Sequence, residues 1–325
     1  MTRRGWVLFT LMGVIWGIPY LLIKVADGGV SVPVLVFART TIGALVLLPF
    51  AMRRREIGVT LKHWRWLAVF AVTEIILPWV FLSDAEHRLA SSLSGMLIAS
   101  VPIIGAVLAW LTGDSDSLTL VRWAGLVAGL GGVVLLAGPT AGGGDAWAVT
   151  EVLLTALGYS IGPLIASRKL SDAPSLGVNA VCLSSAALVY APFAALAWPR
   201  AVPSANVIAS LVALGVVCTG AAFVLFFALI AEAGPARATV ITYVNPAVAV
   251  ALGVAVLGEP LTPLIMGSFA LILVGSFLAT RPGGCRSRAS ATLGDAALGD
   301  GALGDGTAEP GVPIGVPAPS CDTDA

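Results

Sequence analysis

The chain has 325 residues, of which 58% are hydrophobic and 11% are charged, and its mean hydropathy is +0.95. Soluble domains carry about 25% charged residues, so this composition excludes a soluble globular protein and predicts a chain that crosses a membrane several times. The formal net charge is zero and the charges are not gathered on one face, so we expect no nucleic-acid partner.

Ten apolar runs follow one another along the chain, each bounded by charged or turn residues. At about 1.5 Å rise per residue, each run is long enough to cross roughly 30 Å of hydrocarbon as a helix. The first run follows Arg3 and Arg4, but no signal-peptide cleavage site comes soon after it, so we expect an uncleaved span. The runs cover residues 6–25, 33–51, 64–82, 90–111, 119–138, 147–167, 175–197, 206–230, 235–257 and 261–280.

The distribution of lysine and arginine predicts the orientation of these spans. With the N-terminus in the cytoplasm, most of the basic residues fall in cytoplasmic segments, as the positive-inside rule requires. We therefore expect an integral protein of the plasma (inner) membrane with both termini in the cytoplasm. Residues 282–325 repeat Leu-Gly-Asp among Ala, Gly, Pro and Ser, which predicts a disordered cytoplasmic tail.

The two halves of the chain resemble each other at a nearly constant offset. Lys24 matches Lys169 at 169 − 24 = 145, and a Gly-x-x-x-Gly pair upstream of each lysine matches at the same offset. An acidic residue, then Leu-Thr, precedes the last run of each half, with Asp116 in the first and Glu259 in the second. We expect both carboxylates to cap the helices that follow them, and the glycine pairs to allow close helix packing.

This repetition predicts a duplicated chain, with 1–138 and 139–281 as the two copies. Each copy has five spans, and because five is odd, the second copy enters the membrane in the opposite orientation. The predicted fold is therefore an all-α integral membrane protein with ten transmembrane helices, arranged as two inverted five-helix repeats.

Enzymatic and metal-binding motifs are missing from the sequence. It contains no Walker loop, no Gly-x-Ser-x-Gly elbow and no His-Glu-x-x-His pair, so an ATP-driven pump or a hydrolase has no support. The cysteines and histidines are isolated, which predicts neither a disulfide framework nor a metal site. We expect a protein that is not an enzyme and that uses no cofactor.

Three features together resemble the EamA type of the drug/metabolite transporter superfamily. They are the ten spans in two sets of five, Trp16-Gly17 near the end of a first span that starts beside basic residues, and the Gly-Glu-Pro-Leu-Thr turn at 258–262. The resemblance covers about residues 5–281. It implies movement of a small metabolite through a central cavity between the halves, with the last span of each half outside that cavity. Asp116 departs from the family, which usually has glutamate there.

These features favour a secondary transporter that works by alternating access, with export of an amino acid or a related compound as the leading hypothesis. A proton-coupled drug efflux carrier is one alternative. A non-transporting membrane receptor or an intramembrane enzyme is an alternative from another class. The expected partners are a small-molecule substrate and the lipid bilayer, with protons and a second copy of the chain, in a homodimer, as further candidates.

Glu74 and Arg39 are the charged residues of greatest interest, because both fall inside predicted spans. Glu74 lies near the middle of the third span, where an acidic group costs at least about 2.5–3.5 kcal/mol and should face a cavity or a partner. It is either a proton carrier, an anchor for a cationic group, or a structural carboxyl that pairs with Arg39. Arg39 in turn either extends to the interface, pairs with Glu74, or binds a substrate carboxylate.

Other candidate cavity residues combine an apolar body with a polar tip, and the alternative for each is packing or an interfacial position. Prolines within the spans predict kinks. The cavity candidates are Trp16, Tyr20, Trp79, Tyr159, Tyr243 and Asn245, and the kink candidates are Pro78, Pro102 and Pro246.

Overall fold

The computed structural model of the protein describes residues 2–112, 119–140, 145–233 and 241–280. Within these ranges the chain is helical and contains no β-strand. The predicted tail 282–325 and Asp116 lie outside the described residues.

Ten apolar helical segments, α1 to α10, lie within or overlap the ten predicted runs, and the start of the ninth run, 235–240, lies outside the described residues. Eight of them are long and apolar enough to cross a membrane, and the last two are shorter apolar helices. A short helix, Glu56–Leu61, connects α2 and α3. The segments are α1 Arg3–Asp27, α2 Val32–Arg53, α3 Trp64–Arg88, α4 Ser91–Leu111, α5 Leu120–Thr140, α6 Ala146–Lys169, α7 Ser175–Leu196, α8 Ala205–Ala233, α9 Ile241–Leu257 and α10 Pro263–Ala279.

Two of these segments are interrupted next to a proline. The first consists of Arg3–Gly17 and Pro19–Asp27, and α4 consists of Ser91–Ile98 and Val101–Leu111. Pro102 is the second residue after the α4 interruption, whereas Pro246 lies inside the continuous helix α9. A proline has no backbone N–H, so Pro19 and Pro102 each remove one helix hydrogen bond at these interruptions.

Two segments contain one π-helical turn each, and the two turns begin 145 residues apart. They are Ala71–Ile76 in α3 and Val216–Ala221 in α8, and 216 − 71 = 145, the offset of the sequence repeat. In α3 the turn precedes Pro78, whose ring crowds the carbonyl four residues earlier. In α8 there is no proline, and the Thr219 hydroxyl instead donates to the carbonyl of Leu214, five residues earlier, at 2.8 Å.

Helices of the two halves interleave rather than forming separate bundles. The pairs in contact are α2 with α7, α3 with α6, α4 with α9, α5 with α10, and α1 with both α8 and α9. Glycines allow the closest of these approaches, since Gly125 and Gly129 of α5 face Gly275 of α10 backbone to backbone. The charged side chains of the interior are therefore held between halves, at the contacts of α2, α3 and α6.

A valine at position 275 is expected to destabilise the protein, because its Cβ would overlap the backbone of Gly129 and force α5 away from α10. Overpacking of this kind costs about 1–3 kcal/mol. The measurement is the thermal unfolding midpoint of the purified protein in detergent. Gly267→Val is the matched control on the same helix, since no atom lies within 4 Å of its Cβ position. Equal losses in both variants would contradict the contact.

Candidate functional site

Two ionisable side chains lie deep in the helical segments. Arg39 is the eighth residue of α2, about 10 Å from the start of that helix, and only 7% of its surface is exposed. Glu74 lies ten residues after Trp64, about 15 Å into α3. Because unpaired ions are costly inside hydrocarbon, the partners of these two groups define the chemistry of the interior.

The Glu74 carboxylate lies in the π-helical turn of α3 and points at α6. A Cβ at position 162 would overlap this carboxylate, so Gly162 provides the space that it occupies. Its Oε2 atom is buried and has no hydrogen-bond partner within the described part of the chain. Tyr159 of α6 and Cys182 of α7 interact with it electrostatically. A cation that neutralises Glu74 is not among these neighbours.

Arg39 contacts a threonine and a tryptophan instead of Glu74. Its Nε donates to Thr219 Oγ1 at 3.2 Å, and its guanidinium carbon lies 3.7 Å from the centre of the Trp79 ring. Thr219 accepts this bond because its own hydrogen is donated to the Leu214 carbonyl. The ion pair between Arg39 and Glu74, one of the alternatives for these two residues, is therefore not formed.

Three of the predicted aromatic residues gather near Arg39. Tyr20 and Trp79 are each 5% exposed, and Tyr20 and Tyr159 both interact electrostatically with the guanidinium. Tyr159 also interacts electrostatically with Glu74, so the same side chain neighbours the base and the acid. These residues form what we call the central polar group, which consists of Tyr20, Arg39, Glu74, Trp79, Tyr159 and Thr219.

The remaining predicted cavity residues make contacts between helices at other places. Trp16 packs against the rings of Phe223 and Phe226, with centroids 6.2 and 4.8 Å away. The Tyr243 hydroxyl forms a 2.9 Å hydrogen bond with Thr280. The Asn245 amide nitrogen, in the orientation that satisfies it, donates to the carbonyls of Ile241 at 3.0 Å and Gly13 at 3.2 Å. Asn245 thus ties α9 to α1.

Thr219 is the residue of the central polar group that sequence reasoning missed. Its position follows from the repeat, since 219 − 74 = 145, but a lone threonine in an apolar span gives no indication that it contacts an arginine. Gly43, one turn after Arg39, faces the Thr219 methyl group and lets α2 approach α8 closely. The sequence signal that could have identified Thr219 is therefore its correspondence to Glu74 at the offset of the repeat.

A second set of charges, also missed, lies at the helix ends, and one ion pair of this set joins the two halves. Arg88 of α3 donates from Nη2 to Asp84 at 2.6 Å and to Glu151 of α6 at 2.5 Å. At the same end of the bundle, His87 pairs with Asp27, and the Lys24 ammonium donates to the carbonyls of Glu86 and Leu89. Most charges at this end are thus matched by polar partners.

Glu259 caps a helix, but not the one predicted. Its carboxylate accepts hydrogen bonds from the backbone N–H groups of Ser91 at 2.7 Å and Ser92 at 2.8 Å, at the start of α4. The helix that follows Glu259 is capped by Thr262, whose hydroxyl accepts from Ile265. The preceding Gly258 has φ +67°, which lets the turn direct Glu259 away from α10.

The surroundings of Glu259 favour its ionised form. Burial alone would raise the pKa of Glu259, but the hydrogen bonds from Ser92 and Ser91 outweigh burial and hold the pKa below the ordinary glutamate value. The positive end of the α4 helix dipole acts in the same direction. This contact links the α9–α10 turn of the second half to α4 of the first.

Glu259→Gln is expected to lower the free energy of unfolding by about 1 kcal/mol at neutral pH, because the mutant lacks a charged cap. A carboxyl with a lowered pKa stabilises the fold above its unfolded value of 4.5 and ceases to do so as pH falls through the folded value. The stability difference between wild type and mutant should therefore shrink below that pH. Unfolding midpoints at a series of pH values measure it, with the exposed Asp172→Asn as control, and a pH-independent difference would contradict the charged cap.

These long apolar helices, with charged side chains held between them, define an integral membrane protein of the kind that moves polar solutes. Residues 3–138 and 146–281 each match the EamA-like transporter family. Because the two matches together cover most of the chain, the protein belongs to the EamA-like transporter family. The resemblance predicted from the sequence is confirmed, and so is a transporter of the drug/metabolite type.

Similar proteins are also described as transporters. The chain is 28% identical over 274 residues to "Uncharacterized inner membrane transporter YedA" of Escherichia coli (strain K12), a match that covers 82% of this chain and 87% of the relative. It is 25% identical over 282 residues to "Uncharacterized transporter YvbV" of Bacillus subtilis (strain 168), covering 83% and 89%. A solved crystal structure with 22% identity shares the fold, with TM-score 0.60 over 86% of this chain and 98% of that one.

Proposed function

We propose that the protein is a secondary transporter that exports a small polar metabolite, an amino acid or related compound, by alternating access, and that Glu74 binds the coupling proton. In this proposal the ten helices form two inverted five-helix repeats in the plasma (inner) membrane, with both termini in the cytoplasm. The observation that carries the proposal is the Glu74 carboxylate, which lies at the contact of α3 with α6 without a partner for its buried oxygen.

A coupling role requires that an acidic group in this position binds and releases a proton or a cationic partner reversibly. A carboxylate with a permanent counter-ion would stay ionised and could not carry a proton, whereas Glu74 has no such partner among the described residues and is free to bind one. Tyr159 interacts electrostatically with both Glu74 and Arg39. A change of charge at Glu74 therefore alters the electrostatic environment of Tyr159, which is also a neighbour of Arg39. The position of Glu74 between the two halves favours a role in coupling protonation to their relative movement.

Unequal packing of matched helices supports alternating access. In the first half, Gly13 and Gly17 of α1 face Val244 and Val248 of α9. The matched glycines of α6, Gly158 and Gly162, face α3 rather than α4, although α4 is the helix of the first half that matches α9. Two inverted repeats that exchange their conformations would also exchange these contacts, which opens one side of the membrane as the other closes.

The charge distribution of the helix ends supports the proposed orientation. Arg53, Arg54 and Arg55 lie exposed at the end of α2 that carries the positive-inside signal. The opposite end of the bundle contains the Arg88–Glu151 ion pair, which joins α3 to α6. We assign that end to the outside, where the ion pair holds the halves together while the protein is closed to the exterior.

Glu74→Gln is expected to abolish pH-driven transport while leaving the fold intact, because glutamine keeps the size and hydrogen bonding of glutamate but cannot titrate. In reconstituted vesicles screened with amino acids, sugars and drug-like compounds, the mutant should still exchange substrate across the membrane without a gradient. Its accumulation driven by a pH gradient should fall at least about tenfold, which corresponds to a loss of roughly 1.4 kcal/mol of coupling.

Glu74→Asp is the matched control, since it keeps a titratable carboxyl and should retain part of the gradient-driven accumulation. Undiminished pH-driven accumulation by a well-folded Glu74→Gln protein would overturn the coupling role. Vesicles in which the wild type moves none of these compounds would count against the transport proposal itself.

A further inference from the structure

Arg39 is a buried cation without an anion. Only 7% of its surface is exposed, and no aspartate or glutamate lies within ion-pair distance of it in the part of the chain that the structure describes. Its electrostatic neighbours are Tyr159, Cys218 and Tyr20, all of which are neutral at physiological pH. A buried charge whose partner is missing is strongly destabilising, so an anion from outside the chain would stabilise this arrangement.

The contacts of Arg39 fix its orientation without neutralising it. Thr219 occupies the Nε–H donor, and the Trp79 ring covers one face of the guanidinium plane. No hydrogen bond joins Nη1 or Nη2 to another described residue. The two terminal nitrogens therefore offer their N–H groups side by side, in the fork geometry that binds both oxygens of a carboxylate.

The duplication explains why this anion is not supplied by the protein. At the position of α8 that matches Glu74, the second half carries Thr219, and this is the residue that contacts Arg39. A glutamate there would place a carboxylate beside the guanidinium and complete an internal ion pair. The hydroxyl instead holds the arginine in place and leaves its charge available.

We propose that Arg39 binds the carboxylate group of the transported compound, with Thr219 and Trp79 as positioning residues. The inference rests on the proposed transport function and adds the chemical class of its substrate. A single cation matches a single carboxylate, whereas a phosphate dianion would leave one charge unpaired in the interior. The substrate is thus a small carboxylate, and Glu74, whose buried Oε2 has no hydrogen-bond partner among the described residues, is compatible with an amino group on the same molecule.

The test compares Thr219→Glu with Thr219→Gln, two side chains of nearly the same size that differ in charge. The probes are the standard L-amino acids, short monocarboxylates, and the carboxamide of each. Ligand-induced shifts of the unfolding midpoint of the purified full-length protein give apparent affinities. The wild type should respond to at least one carboxylate and at least about tenfold less to its carboxamide, because the amide has no charge for Arg39.

Thr219→Glu should weaken carboxylate binding at least about tenfold relative to Thr219→Gln, because its internal carboxylate competes for Arg39. The Thr219→Glu and Thr219→Gln variants should bind the carboxamides equally well. If Thr219→Glu merely disturbed the structure, it would weaken the binding of carboxamides as well as carboxylates. Arg39→Lys keeps the charge but loses the fork, and should also weaken carboxylates more than carboxamides.

The inference is overturned if no carboxylate stabilises the wild type, if carboxylates and carboxamides bind alike, or if the two Thr219 variants are indistinguishable. Flux of neutral or purely cationic compounds in that case would leave the transport proposal standing. Conversely, carboxylate binding that depends on Arg39, together with pH-driven transport by Glu74→Gln, would refute the coupling role and retain the carboxylate site.

Discussion

Hydrocarbon cannot solvate an ion, so every charge that the helices bury must find a partner in the protein, on a ligand or as a proton. At one end of the bundle this requirement is met within the chain for most charges, with the buried Glu86 carboxyl as the exception among the described residues. Arg88 binds Glu151 of the other half, and the Glu259 carboxylate binds the start of α4. In the interior it is not met, because Arg39 and Glu74 lack partners of opposite charge among the described residues. The same constraint thus yields fixed contacts at the helix ends and an unsatisfied polar group between the halves.

The sequence could predict the features that depend on local or periodic signals, but not those that depend on contacts between distant segments. Apolar runs of span length were predictable as helices, because a backbone in lipid can satisfy its hydrogen bonds only locally, and the described part of each of the ten runs contains a helix. The family was also predictable, because the Gly-Glu-Pro-Leu-Thr turn and the duplication are local or periodic signals. The partner of Arg39 was not, since it depends on how closely α2 approaches α8, which Gly43 permits.

Glu259 illustrates how a correct motif can be assigned the wrong partner. A carboxylate just before a helix usually caps that helix, so the local sequence favoured α10. The left-handed conformation of Gly258 turns the chain, and Thr262 takes the local capping position. Glu259 is thereby free to cap α4, which belongs to the other half. A family motif that looks like a local turn signal therefore also joins the two copies.

The crossed packing of the halves explains why the acid and the base of the interior do not neutralise each other. The second helix of each half contacts the π-helical turn of the other, so α2 meets Val216–Ala221 and α7 meets Ala71–Ile76. The second copy is neutral at the matched positions, since Arg39 corresponds to Ser184 at 184 − 39 = 145, as Glu74 corresponds to Thr219. Arg39 therefore contacts Thr219, the neutral counterpart of Glu74, rather than a carboxylate. Glu74 points instead at Gly162 of α6, which has no side chain that could neutralise it. The difference between the two copies thus leaves one base and one acid in the interior without an oppositely charged partner among the described residues.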